Sequence, residues 1–362
     1  MMISAPLSEH IRRVIGRSRA FYRASEPGHF LIHAHAPVDA PAIPPLDSFD
    51  LDRQLATWLD HALAAARAEW RGRAGLDDDA IPSICPRFGI AEHTAWLGAE
   101  VRLQTDTCLP VPLLREPEDL DRLTLSGETP WYRRMKASYD YLRSRQDGTF
   151  VLSVRGAMMP MDIANALRGD VLFSDFLLNP EFAHCLIRFL TGGVDWYYRR
   201  LRSWADELDG GHVMFYHGSW MGPDVLGHVT NDAAMLCSRR IYEQFGFPYE
   251  RELCGRYGQV LYHVHNEKLH FAPCVAQLPN LALFEVTNDP KTPPAAEDLP
   301  RVLAAINSPR LLLHAASDQV RQRIGELKQR NVFLNVTCRD RADAEDIVAF
   351  VRAASRPLTT DD

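Results

Sequence analysis

Short apolar runs alternate with amphipathic helical patterns along most of this chain, and that alternation limits the fold more than any other feature. Strand candidates centre near residues 32, 84, 152, 214, 262, 283, 312 and 334, each followed by a helical pattern. Repeated β-then-α units with no internal repeat and no credible linker predict an α/β fold. The expected form is a single-domain (β/α)8 TIM barrel, with a doubly wound sheet as its main competitor. Ile11, Val14, Ile15 and Phe21 predict a helix over 8–24 lying outside the main body, so residues 1–28 read as an N-terminal helical extension and 29–355 as the barrel. Further helices are expected at about 50–70, 129–146, 238–256, 268–277, 297–307 and 317–329, the last capped by Ser317. Asn179-Pro180-Glu181 predicts the start of a long helix running to about Arg202.

Composition excludes several classes. A chain of 362 residues, 46% hydrophobic and 24% charged, can bury one large core. A net charge of −7 argues against nucleic acid as a partner. No stretch approaches 18 uninterrupted apolar residues and the N-terminus has no continuous apolar segment, so neither membrane insertion nor secretion is expected and the predicted compartment is the cytoplasm. Seven scattered cysteines without a Cys-x-x-Cys pair predict no disulfide framework.

The chemistry gathers at strand ends. In Leu261-Tyr262-His263-Val264-His265 the period of a strand sends both imidazoles to one face, and His33 and His35 repeat the arrangement after Phe30. Glu285 is a lone carboxylate in the apolar run 281–286, where it must be paired, protonated or bound. His217, Asn288, Asp289, His314 and Cys338 also fall at or just past predicted strands, the place where barrels carry their sites. Imidazole, thiolate and carboxylate are the zinc ligand types, and His263, His265, Glu285 and Cys338 supply them. His228 and Asp232 stand four residues apart as a candidate acid/base pair, and Arg87 and Arg155 are candidate cationic contacts.

Three segments resemble the uroporphyrinogen decarboxylase superfamily, which includes zinc-dependent methylcobalamin:thiol methyltransferases. They are RGAMMPMDIANALRGDVLFSDFLLNPEFAHCLIRFLTGG (155–193), DAAMLCSRRIYEQFGFPYERELCGRYGQVLYHVHN (232–266) and LLLHAASDQVRQRIGELKQRNVFLNVTC (311–338), and with weaker similarity in DDDAIPSICPRFG the match spans roughly 75–350. The resemblance implies the barrel, and it implies that His263 matches a family zinc histidine. His265 stands where that family's methyltransferases have Cys, Cys338 lies near their distal Cys, and Glu285 falls where a related zinc methyltransferase family places a Glu. It also implies that 217–223 and 227–232 form a loop covering the barrel mouth, with Trp220 and Met221 stacking on a flat ligand. The decarboxylases' arginine-rich motif after the first strand is replaced by His33-Ala34-His35-Ala36-Pro37.

The leading expectation is therefore a zinc-dependent methyltransferase acting on a small molecule, with the methyl group delivered by a separate corrinoid protein, since no cobalamin-binding motif is evident in the chain. A metal-free decarboxylase using His33, His35, His228 and His263 as acids and bases is one alternative, and a non-catalytic tetrapyrrole- or partner-binding barrel is another.

Overall fold

The computed structural model describes residues 5–308 and 310–357, so residues 1–4 of the expected extension lie outside the described part. At its centre is a parallel sheet whose strands, numbered within it, are β1 (Phe30–His35), β2 (Ala157–Met158), β3 (Val225–Thr230), β4 (Gln259–His265), β5 (Leu281–Thr287), β6 (Arg310–Ala316) and β7 (Asn331–Thr337). The order across the sheet is β1-β7-β6-β5-β4-β3-β2, with every neighbouring pair parallel. Helices such as Leu299–Ala305 and Ser317–Leu327 carry the chain between adjacent strands. The strands are covered on both faces, which is why they read as near-continuous apolar runs: Ala282 to Val286 is buried throughout.

Two further parallel pieces lie outside this ladder. Ser83–Ile84 pairs with Val151–Leu152, and Val154 bridges Met214. The free edge of β1 is satisfied differently. Ile32 N–H donates to Asp79 (2.8 Å) and Ala34 N–H to Asp78 (3.1 Å), while Asp79 N–H donates to the Ile32 carbonyl (2.7 Å). Carboxylates thus stand in for a neighbouring strand. The described fold is mixed α/β around a seven-stranded parallel sheet, and its ladder does not itself close into an eight-stranded ring.

Several sequence expectations change. The region near 214 contributes a short hairpin, Gly211–Val213 antiparallel to Trp220–Met221, whereas β3, read from sequence as covering loop, is a central strand. The N-terminal helix, Ala5–Arg23, is not set apart. Leu7, Ile11, Val14 and Ile15 are buried against Ile81, Val151, Leu208, Val213 and Trp220. The long helix begins at Pro180 as expected, but Asn179 donates to Asp175 (2.8 Å) instead of capping it. Ser317 is the first residue of its helix and donates to Asp343 (2.7 Å), leaving Ala316 at the cap. Only Ala272–Val275 is helical within 268–277. Val101–Leu103 pairs antiparallel with Cys108–Pro110 outside the main sheet. Among the described residues no helix is long and apolar enough to cross a membrane, and all seven cysteines are free.

Candidate functional site

Glu285, 2% exposed, is the middle of the site. It stands on β5 opposite His263 of β4, and period-2 alternation turns both to the same face of the sheet. Four imidazoles surround its carboxylate. His217 Nε2 lies 3.1 Å and His314 Nε2 2.7 Å from Oε1; His228 Nε2 lies 2.5 Å and His263 Nδ1 3.2 Å from Oε2. His314 belongs to β6 and His228 to β3, so four adjacent strands converge on one carboxylate. His217 arrives from a turn in which Tyr216 (φ 72°) and Gly218 (φ 57°) are both left-handed. A Cβ on Gly218 would stand 2.8 Å from the Ile81 carbonyl, so only glycine fits the turn that aims His217 inward.

An outer set of groups orients this centre. His265 Nδ1 donates to Asp289 (2.7 Å), and its Nε2 faces His263 Nε2 at 3.3 Å. Thr287 Oγ1 lies 3.0 Å from His263 Nδ1. Asn335 of β7 holds His314 Nδ1 at 3.0 Å and His35 Nε2 at 2.6 Å, joining the centre to the end of β1.

Burial alone would raise the Glu285 carboxyl, but the imidazoles of His228, His217 and His263 hold it well below the usual carboxylate range. The site is therefore built around a carboxylate anion. Burial pushes the His228 imidazole down to about 4 despite the favourable Glu285 charge, leaving it neutral with a free lone pair. Burial acts on His263 in the same direction, yet there Glu285, with Asp232 and Asp289 behind it, wins and raises the group above its ordinary value.

The ligand atoms of His217, His228 and Glu285 all lie within 4.8 Å of one another, as do those of His33, His35 and Glu69, so two groups have donor sets that a metal ion accepts. In the first, Glu285 Oε2 is buried without an aligned hydrogen-bond donor, although two imidazoles approach it. A converging anion and neutral imidazole with an unsatisfied oxygen fit a divalent cation. In the second, His33 Nε2 is in contact with the Arg73 guanidinium, itself paired with Asp78 at 2.5 Å. That contact consumes one ligand and places a cation beside the others.

The expected zinc set is only partly assembled. His263 and Glu285 meet, His265 stands behind His263, and His228 joins them. Cys338 is in neither ligand group; its Sγ donates to the Val336 carbonyl (3.7 Å), and burial pushes its thiol up to about 11. Asp232 accepts from Thr230 (2.6 Å) and lies 3.6 Å from His265, so its partner is not His228. Trp220 does not cover the mouth. It is buried under the N-terminal helix, donates to the Leu208 carbonyl (2.8 Å), and Met221 is buried beside it in the hairpin. Arg155 is buried in an ion pair with Glu92 and lies over the Phe215 ring at 4.4 Å, so its own charge is taken up within the fold, whereas Arg87 lines the cavity. His33 and His35 instead line a cavity of about 760 Å³, with Trp58, Glu69, Arg73 and Tyr216. Tyr216 is the link between cavity and centre, its ring 5.2 Å from that of His228.

His217 and His314 complete the ring that the sequence-based zinc set left open, and Asn335 was not foreseen. The signal for Asn335 is the one that marked Glu285, a lone polar residue inside an apolar run, here Val332-Phe333-Leu334-Asn335-Val336. Compared with models of known protein families and with curated proteins, the sequence matches none.

Proposed function

We propose that this chain is a divalent-metal enzyme built on a uroporphyrinogen decarboxylase-like (β/α)8 barrel and that it transfers a methyl group to a small molecule bound in the cavity that His33, His35 and Tyr216 line. The observation that carries the metal assignment is the buried Glu285 carboxylate ringed by imidazoles, with one oxygen lacking a donor. The strand order β1-β7-β6-β5-β4-β3-β2, with Ser83–Ile84 and Val151–Leu152 as further parallel pieces, supports the barrel. The resemblance over 155–193, 232–266 and 311–338 supports the methyl-transfer chemistry and a separate corrinoid protein as donor. Glu285, His228 and His217 would hold the ion. Bound there, zinc supplies Lewis acidity that lowers the pKa of a coordinated nucleophile. His314 fixes the Glu285 carboxylate from Oε1, and His263, backed by His265 and Asp289, stands 3.2 Å from Oε2. An all-nitrogen-and-oxygen set suits a harder, more acidic centre than a thiolate-rich one.

One observation favours a second reading. Neutral His228 and proton-favouring His263 flank one carboxylate, and environments that push two groups apart in this way make an acid/base pair for decarboxylation without metal.

Elemental analysis of the purified protein beside Glu285→Gln and His228→Ala variants separates the two. About one metal per chain, lost in both variants, is expected, together with methyl transfer from methylcobalamin to a thiol supplied as acceptor, by the loaded wild type and not by the variants. Folded wild-type protein that takes up no zinc after reconstitution would overturn the metal reading.

A further inference from the structure

The helix Leu51–Arg73 forms one wall of the cavity of about 760 Å³, and its lining residues are large toward the ends and small in the middle. Trp58 and Trp70 flank Ala62, Ala65 and Ala66. The two indoles are set roughly 18 Å apart along the axis by the rise of an α-helix. Helical spacing puts Trp58, Ala62, Ala65 and Ala66 on one stripe, so three methyl groups make a flat floor where longer side chains would fill the space.

The remaining wall is aromatic too. Phe88, Phe215 and Tyr216 line the same cavity from the loops that follow Ser83–Ile84 and Gly211–Val213. The rings are held by contacts of their own: Trp70 stacks on Phe150 at 5.1 Å, Phe88 meets Trp131 edge to face at 5.6 Å, and Phe215 lies under Arg155 at 4.4 Å. Fixed rings around a flat floor match a ligand that is itself a flat ring system.

A second, polar observation narrows the class. Trp58 is only 7% exposed, and its Nε1–H is buried without an acceptor among the described residues. Buried N–H groups are normally paired, so a ligand in the cavity that Trp58 lines supplies the missing acceptor. An indole N–H is a donor only and does not titrate, which makes this requirement independent of the Glu285 centre. A planar hydrocarbon would leave the N–H unpaired, and a saturated ligand would forgo the stacking.

We propose that this slot binds a planar heteroaromatic small molecule, stacked over Ala62, Ala65 and Ala66 and accepting a hydrogen bond from Trp58 Nε1–H through a ring nitrogen or ring carbonyl. The slot deepens the proposed function by naming the class of the small molecule placed in this cavity, and it rests on that reading only for calling the ligand a substrate.

Equilibrium dialysis against three bicyclic probes tests it: quinoline, planar with an acceptor nitrogen; naphthalene, planar without one; and 1-decalone, a saturated ketone. Quinoline is expected to bind saturably, about fivefold more tightly than naphthalene and about tenfold or more above 1-decalone. Trp58→Phe keeps a ring and removes the N–H, so quinoline affinity falls to that of naphthalene while naphthalene affinity holds. Ala65→Leu, at a partly exposed position, fills the slot and abolishes quinoline binding in a folded protein. No saturable quinoline binding to folded wild type, equal affinity for quinoline and 1-decalone, a parallel fall of quinoline and naphthalene in Trp58→Phe, or full quinoline binding in either variant would each overturn the proposal. Zinc content of the same samples keeps the two readings apart. Protein that takes up no zinc yet binds quinoline as expected refutes the Glu285 centre and supports the slot, whereas zinc-loaded protein that does not bind quinoline refutes the slot alone.

Discussion

Arg155 shows how one residue type supports opposite readings until its partner is seen. In sequence it is a cation following a strand; in the fold its guanidinium meets Glu92, and both side chains are almost fully buried. Glu92 also accepts from the Phe88 and Gly89 backbone N–H groups, so the pair clamps the 86–92 turn. Removing one partner of a buried pair strands the other charge, and Arg155→Met is expected to cost about 3 kcal/mol in a urea titration. Adding Glu92→Gln should recover part of that loss, whereas a ligand-binding arginine would show no such coupling. The same dependence on partners decides what could be read at the site. His263 and Glu285 were legible because strand periodicity forces them to one face. His217 was harder to assign because its direction comes from two left-handed residues in a turn. Cys338 matched a ligand type and a strand end, but its sulfur turns to the Val336 carbonyl.

At the scale of elements, alternation of strand and helix was read correctly over β4 to β7, where long apolar runs leave little choice. It failed at β3, because Pro223 and Gly227 break a run whose polar residues, His228 and Thr230, face the site. It also failed for the N-terminal helix. A helix with one apolar face says nothing about what that face covers, and here it covers Ile81, Val151, Val213 and Trp220. Burying four aliphatic side chains contributes on the order of 6–10 kcal/mol, comparable to the whole net stability of a typical domain. A chain starting at residue 24 is therefore expected to lose cooperative thermal unfolding and to show red-shifted tryptophan emission from exposed Trp220. A truncated protein with an unchanged melting transition would mean that the helix is an appendage after all.

The whole molecule is joined where β1 lacks a strand neighbour on one side. Asp79 is fully buried there and ties three distant parts of the chain. It accepts from Ile32 of β1 (2.8 Å), from Arg352 of the C-terminal helix Arg341–Ala354 (2.8 Å), and lies 2.6 Å from Arg17 of the N-terminal helix. Asp78 beside it holds Ala34 and Arg73, and through Arg73 the position of His33. Carboxylates thus do at this seam what a strand does elsewhere, and they bring the two ends of the chain together. Asp79→Asn keeps an oxygen for the Ile32 amide but leaves Arg352 without its counter-charge and Arg17 with Asp77 alone, so a loss of about 3 kcal/mol is expected. The distribution of that loss is the sharper test. If the seam is where the molecule opens first, native-state hydrogen exchange at Ile32 and Ala34 will accelerate far more than at Leu283 and Phe284 in the middle of β5. Uniform acceleration across both strands would mean that the sheet opens as one unit, with the carboxylates no weaker a junction than a paired strand.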